Sequence, residues 1–222
     1  MYANVIVTAD GSHTVRSEHF NECYHSERGA VMESRHVFIE AGLRQVEKAP
    51  LAVFEVGFGT GLNALLTLLE AEKADRHVYF ESVAPYPIDF STAGALNFPE
   101  VLGIDRQMFL ELHRCEWNRA VAVTPRFTLH KIRANLLHYR PHSSFDVVYF
   151  DAFSPETQPE LWTEEVFSRI YSALNSNALL TTYSSKGLAK RNLRAAGFTV
   201  QRLPGAGGKR HMLRAVKLSA GS

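Results

Sequence analysis

At 222 residues, 45% of them hydrophobic and 21% charged, the chain has the length for one domain with a sizeable core, with room for a small appendage. No apolar stretch reaches the roughly 20 residues of a membrane helix, the N-terminus has no signal-peptide pattern, and Cys23 and Cys115 lie far apart with no Cys-x-x-Cys grouping; a cytoplasmic protein without disulfide, metal or membrane contact is expected. The net charge of +1 conceals a split: all 23 acids lie in residues 1–165, against 14 Lys/Arg, whereas residues 166–222 hold ten Lys/Arg and no acid, which suits a basic face turned to a polyanion, with a merely solvated lysine face as the alternative.

Asn4 to Thr8 and Ser12 to Arg16 flank Asp10-Gly11, a dipeptide that favours a tight hairpin turn. A helix is expected over Met32 to Leu43, with Val37, Phe38 and Ala41 on one side and Gly42 near its end. Residues 1–45 thus read as a hairpin-and-helix extension ahead of a domain at 46–222. Strands are expected at Leu51 to Val56, His77 to Val83, Phe127 to Ile132, Phe145 to Phe150, Ala178 to Tyr183, Thr199 to Leu203 and His211 to Val216. Helices are expected between them at Leu62 to Lys73, Ile88 to Leu96, Arg106 to Glu116, Glu164 to Leu174 and Leu188 to Ala196. The apolar run Val147-Val148-Tyr149-Phe150 implies burial on both faces. Such alternation builds a doubly wound sheet. Only Pro204 to Gly208 join the last two strands, too few residues for a crossover helix, so these strands should pair antiparallel. The expected fold is α/β and Rossmann-like, a mainly parallel sheet with one reversed strand, the topology of class I methyltransferases.

The first strand runs through Phe54-Glu55-Val56 into Gly57-Phe58-Gly59-Thr60-Gly61 and then a helix marked by Leu62, Leu65, Leu66 and Leu69. Glycines at a strand-to-helix turn open backbone angles closed to other residues and let the main chain approach a ligand. A nicotinamide site would want G-x-G-x-x-G, but its last glycine position holds Leu62; a P-loop would end in Gly-Lys-Ser/Thr, which is absent. The remaining pattern, E-x-G-x-G-x-G, suits S-adenosylmethionine, with Glu55 free to accept hydrogen bonds from the ligand. An ordinary glycine-rich turn is the plainer alternative.

A second constellation follows Phe150: Asp151-Ala152-Phe153-Ser154-Pro155, then Pro159-Glu160-Leu161-Trp162. Ligands in open α/β sheets sit beyond the carboxyl ends of the strands, so Asp151 should share a cleft with the glycine loop. There an aspartate takes up a proton or orients a nucleophile, and Phe153 and Trp162 could stack on a planar base. Asp151 as a simple turn cap and Trp162 as core are the structural alternatives.

These stretches together resemble a known family. Asp10-Gly11-Ser12, Tyr24-His25-Ser26 with Gly29-Ala30, Glu33 to Phe38, Glu55 to Asn63, Asp151 to Pro155 with Pro159 to Trp162, Thr182-Tyr183-Ser184 and Gly207-Gly208-Lys209-Arg210 are similar, in the same order, to the methyltransferase half of the bacterial tRNA-modifying enzyme MnmC. The resemblance implies a stand-alone, MnmD-like form, since the flavin oxidoreductase half has no counterpart, and a functional link to a separate enzyme that supplies an aminomethyl group. It implies methyl transfer from S-adenosylmethionine to the amine of 5-aminomethyl-2-thiouridine in the tRNA anticodon loop, with Asp151 as the catalytic residue. It further implies cofactor contacts at Glu33, Glu55, Gly57, Phe58, Gly59, Gly61, Asn63, Asn135, Asp151, Ala152 and Phe153. Substrate contacts are implied at Tyr24, Phe153, Trp162, Tyr183, Lys186, Lys209 and Arg210, with Lys190 and Arg191 as further phosphate ligands.

Two positions depart from the family pattern. The acid that ends the second strand and grips the cofactor ribose is Ala84 here, and Glu81, three residues earlier, should point to the opposite face. An aspartate near the adenine is Asn135, which still accepts a hydrogen bond. Asn175, Ser176 and Asn177 stand where glycines precede the Ala178 strand. These departures keep two other readings open: a tRNA-binding relative without turnover, and a methyltransferase acting on a small amine.

Overall fold

The computed structural model describes residues 5–141 and 144–219. β1 (Val5–Val7) and β2 (His13–Val15) form the expected hairpin; Asn4, the expected start of its first strand, lies outside the described residues. The Asp10 carboxylate fixes the turn, accepting from the Ser12 amide at 3.1 Å and the Thr8 hydroxyl at 2.7 Å. The expected helix at Met32 to Leu43 is broken. α1 (Ala30–Ser34) continues into a π-helical turn over Arg35–Glu40, where Ala41 N–H reaches the His36 carbonyl, and a short 3₁₀ turn follows at Leu43–Gln45. The wider winding buries three successive apolar side chains, Val37, Phe38 and Ile39, which a regular helical stripe would not place together.

The main sheet contains β3 (Leu51–Val56), β4 (Val78–Val83), β5 (Ala120–Thr124), β6 (Phe127–Ile132), β7 (Phe145–Phe150), β8 (Leu174–Thr182), β9 (Thr199–Pro204) and β10 (His211–Val216). Its order is β5-β6-β4-β3-β7-β8-β10-β9. β6, β4, β3, β7 and β8 are parallel, and β10 runs antiparallel between β8 and β9, as the short Pro204 to Gly208 connection requires. A second antiparallel strand corrects the expectation of one: β5 pairs with β6 at the opposite edge. β5, Ala-Val-Ala-Val-Thr, is short and half-exposed, and its small side chains make only a weak strand signal.

β8 also starts earlier than expected, at Leu174, with a register shift against β7 between Phe145 and Val147. Asn177 adopts φ 62° there, a left-handed conformation that asparagine tolerates in place of glycine. Asn175 Nδ2 donates to Asp146 at 2.6 Å.

The helices are α2 (Leu62–Lys73), α3 (Phe90–Gly94), α4 (Phe98–Leu102), α5 (Arg106–Arg114), α6 (Glu164–Ser172) and α7 (Gly187–Ala195). Asp89, Asp105 and Thr163 cap α3, α5 and α6 by accepting from amides of their first turns, whereas α2 begins at left-handed Gly61 with no side-chain cap. Strand β7 is buried along its whole length because its faces serve two cores. Val147 and Tyr149 join Leu65, Leu68, Val37 and Phe38 on one side; Val148 and Phe150 join Trp162, Phe167 and Leu193 on the other.

Candidate cofactor cleft and reaction centre

A cavity of about 500 Å³ opens at the carboxyl ends of β3, β4, β7 and β8, within the usual size range for a small-molecule site. Its floor is the glycine loop with Asp151; Arg16 and residues 19–27 form its roof. Gly57, Gly59 and Gly61 all have positive φ, at 95°, 49° and 75°. A Cβ on Gly57 would lie 2.8 Å from the Asp151 carbonyl oxygen, and one on Gly59 would lie 2.9 Å from the Tyr24 ring. The glycines therefore admit neighbouring parts of the chain as well as a ligand. Thr60 pins the turn: its hydroxyl meets His25 Nε2 at 2.6 Å and its carbonyl meets His113 Nε2 at 3.1 Å. Burial drives both imidazoles down to a pKa of about 4, so they stay neutral.

Asp151 follows β7 directly, and its amide donates to the Val56 carbonyl at 3.1 Å, stitching the two motifs together. Asn63, in the first turn of α2, donates through Nδ2 to Asp151 Oδ2 at 2.8 Å. Burial raises the Asp151 pKa to about 7; the Asn63 bond opposes the rise, the Glu33 charge adds to it, and the Lys209 charge opposes it. The side chain is thus poised to change protonation near neutrality. Glu33 accepts from the Ser26 amide at 3.1 Å and from Lys209 Nζ at 2.5 Å. Tyr183 donates its hydroxyl proton to the Ala152 carbonyl at 2.9 Å, and Phe153 packs against Phe20 and Tyr24 at ring distances of 4.5 and 5.1 Å. The result is a half-buried carboxylate beneath an aromatic rim.

The sequence profile described as S-adenosyl-L-methionine-dependent methyltransferase matches residues 106–218, just over half of the chain. The chain belongs to this methyltransferase family. It is 32% identical over 212 residues to the bifunctional protein MnmC of Methylobacillus flagellatus, named for tRNA 5-methylaminomethyl-2-thiouridine biosynthesis; the match takes in 89% of this chain and 33% of that protein. The MnmC of Pseudomonas savastanoi pv. phaseolicola is 33% identical over 216 residues, 90% of this chain and 32% of that one. The chain therefore spans about a third of the length of these curated relatives. A crystal structure of MnmC2 from Aquifex aeolicus superposes with a TM-score of 0.80 at 25% identity, covering 96% of this chain and 70% of that chain. Spermidine synthase from Thermotoga maritima, at 15% identity, TM-score 0.54 and coverage of 93% and 68%, shares the fold alone. The resemblance to the methyltransferase half of MnmC holds along nearly the whole chain.

The residues of this methyltransferase fit an S-adenosylmethionine-sized ligand in the cleft. Gly57 and Gly59 leave the loop without side chains at the cavity floor, in positive-φ conformations that let the main chain approach a ligand. Phe58, Asn135, Ala152, Phe153, Tyr24, Tyr183, Glu33 and Lys209 line the same cavity.

Three expectations about this methyltransferase need correction. Glu55 is fully buried beneath the loop, not on the cavity wall; Ser82 donates to its Oε2 at 2.6 Å, and burial with the nearby Asp151 charge raises its pKa to about 8 against the opposing hydrogen bonds of Ser82 and Asn63. Trp162 is 0% exposed and offers no stacking face; its indole N–H donates instead to the Phe153 carbonyl at 2.9 Å. Lys209 enters the cleft and pairs with Glu33, so it is not part of an outer phosphate face. Asn135 lines the cavity; its side-chain Oδ1 accepts from the Leu137 amide at 2.9 Å and keeps a second lone pair. Lys186 pairs with Glu156 at 2.9 Å on the surface, and Arg210 is exposed.

Ala84 forms bare wall in the cavity, and Glu81 does not replace the missing acid. Its carboxylate accepts from the Tyr79 and Tyr139 hydroxyls at 3.0 and 2.7 Å on the far side of β4. Sequence reasoning missed Thr60 and His113 as supports of the loop; His25 was visible only as a member of the Tyr24-His25-Ser26 run.

Proposed function

We propose that this methyltransferase transfers a methyl group from S-adenosylmethionine to the primary amine of 5-aminomethyl-2-thiouridine at the tRNA wobble position, giving 5-methylaminomethyl-2-thiouridine. The observation that carries the reading is Asp151: a carboxylate with a pKa near 7, held by Asn63 between the glycine loop and an aromatic rim. Similarity to MnmC over some nine-tenths of the chain supports a wobble-uridine substrate.

In this reading Gly57, Phe58, Gly59, Gly61 and Asn63 cradle the cofactor, with Glu33, Asn135, Ala152 and Phe153 around it. The cofactor supplies an electrophilic methyl group on a sulfonium. An alkylamine with a pKa of about 10.4 is mostly protonated at neutral pH and has no lone pair to offer. Asp151 accepts a hydrogen bond from the amine, aims its lone pair and takes up its proton. Bound there, the cofactor would give up its methyl group to the amine nitrogen with loss of the S–C bond, leaving S-adenosylhomocysteine. Alignment supplies most of the rate, up to roughly 7 to 11 kcal/mol. Tyr24, Phe153 and Tyr183 are the faces on which a splayed anticodon base stacks. Lys190, Arg191 and Arg210, with Lys186, hold phosphates on the acid-free C-terminal surface. The protein works in the cytoplasm beside a separate enzyme that supplies the aminomethyl group.

A second reading is favoured by one observation, the bare wall at Ala84 with Glu81 locked elsewhere: the chain binds tRNA but turns over weakly or not at all. Mass analysis of wobble nucleosides, after incubating aminomethyl-containing tRNA with protein and cofactor, separates the two. A gain of one methyl group, lost by at least about a hundredfold in Asp151→Asn, supports catalysis; salt-sensitive tRNA binding with no mass change supports the second reading.

A further inference from the structure

Lys209 lies between β9 and β10, yet its ammonium points into the cleft. Nζ pairs with Glu33 Oε1 at 2.5 Å and stands 4.7 Å from the centroid of the Tyr183 ring, a cation held on an aromatic face. The loop that carries it is anchored from behind. Arg28 Nη1 donates to the Gly207 carbonyl at 2.8 Å, and His36 Nε2 meets the Pro204 carbonyl at 2.8 Å. Glu33 is only 7% exposed and its second oxygen is occupied by the Ser26 amide. An ion pair is thus fixed by packing on the wall of the cavity whose floor is Asp151.

The charged and titratable groups at this end can be placed element by element. Asp151 comes from the end of β7, Glu33 from α1, and Glu22 from the roof, tied to the Ser154 hydroxyl at 3.0 Å; His19, Cys23, His25 and Glu27 also line the cavity from the roof, and Glu160 from the short turn that follows Pro159. Glu55 lies beneath the floor and is driven toward its neutral form by burial. The Tyr24 and Tyr183 hydroxyls are pushed upward from an already high value by burial and stay protonated. Arg16 is held at the roof by the Asn21 side chain, and the Lys186–Glu156 pair lies outside the cavity lining. Lys209 is the cation that opposes Glu33.

A carboxylate facing an amine favours its protonated form. Two uncompensated carboxylates would hold an acceptor amine as ammonium, which cannot attack. We propose that Lys209 is a positioning residue for the charge state of the acceptor: by cancelling Glu33 it leaves Asp151 as the carboxylate that takes the amine proton. This rests on the reading that the acceptor is a primary amine. The opposing influences of Glu33 and Lys209 on Asp151 run in the direction it requires.

The test is a ¹³C-carboxyl NMR titration of Asp151 in the full chain, in wild type, Lys209→Met, Lys209→Arg and the double variant Lys209→Met/Glu33→Gln. pH profiles of tRNA methylation accompany it, and thermal melts check folding. Lys209→Met should move the Asp151 midpoint, and the acid limb of the rate, up by about one pH unit. Lys209→Arg and the double variant should both return toward wild type, because each restores charge balance beside Asp151. An unmoved midpoint in Lys209→Met, or a double variant that stays with the single one, overturns the proposal. So does a loss of tRNA affinity with an unmoved midpoint, which would make Lys209 a phosphate ligand. Should Lys209→Met fail to fold, Lys209→Gln serves in its place. The titration needs no substrate, so absence of methylation by the wild type would count against the proposed reaction and leave the charge test standing.

Discussion

Glu55 shows how far a single side chain can depart from its motif. It reads as a ligand acceptor, because an acid two residues before a glycine loop has an obvious use. Packed under that loop with Ser82 donating to it, it is better described as a buried acid with a raised pKa. Its folded pKa of about 8 exceeds the ordinary carboxylate value, so the folded state binds its proton more tightly than the unfolded chain. Stability is therefore fully retained at low pH and declines as pH rises toward and through that value. Glu55→Gln should remove that decline: urea midpoints of wild type and variant should differ little near pH 5 and diverge in the variant's favour by about pH 9. A parallel pH dependence in both proteins would mean that Glu55 ionises freely. Trp162 makes a related point. Trp162→Phe keeps most of the apolar contact but abandons the Phe153 carbonyl, and should cost about 1 kcal/mol in denaturant unfolding. Of the residues singled out, those on the Asp151 stretch and the glycine loop were legible because their spacing follows strand and turn geometry; burial was not legible, because it depends on what packs on top.

At the scale of elements, the loop from β3 to α2 is shaped by three neighbours that are distant in sequence. Asp151 lies against Gly57, Tyr24 against Gly59 and His113 against Gly61. Gly57→Ala would set a Cβ 2.8 Å from a carbonyl oxygen at φ 95°, and strain of this kind costs on the order of 1 to 3 kcal/mol. Calorimetry should show weakened cofactor binding together with a lowered melting temperature; a stable variant with unchanged binding would show that the loop relaxes freely. The parallel strands were readable because double-sided burial leaves apolar runs. β5 was not, since an edge strand of alanine, valine and threonine needs only half a core. The break in the helix after Ser34 was equally hidden: three adjacent apolar residues fit a helical segment until the sheet beneath demands all three at once.

Across the whole molecule, charge is distributed by segment. The acid-free segment supplies β9, β10 and α7, so Lys190, Arg191, Arg194 and Arg202 lie on one flank of the sheet. Their mutual repulsion is visible at Lys190, whose pKa is lowered by Arg194 and Arg202. If this flank tracks a phosphate backbone, replacing Lys190, Arg191 and Arg210 together with alanine should weaken tRNA binding and flatten the dependence of log K on log salt by roughly 0.7 to 0.9 for each phosphate no longer neutralised. A slope that does not change would separate the basic flank from nucleic-acid binding.

The alternation of strands and helices, the cleft at the carboxyl ends of the parallel strands and the pairing of the glycine loop with Asp151 were determined by sequence alone, because periodicity, connection length and glycine spacing act locally. Tertiary structure decided which charges are free and which are neutralised by a neighbour. Strand alternation already turned Glu81 away from the cleft, but only the fold shows Tyr79 and Tyr139 on its carboxylate, and Lys209, read as a phosphate ligand, is held inside the cleft by Glu33. Electrostatic roles depend on partners brought together from distant segments, and local pattern carries no record of them.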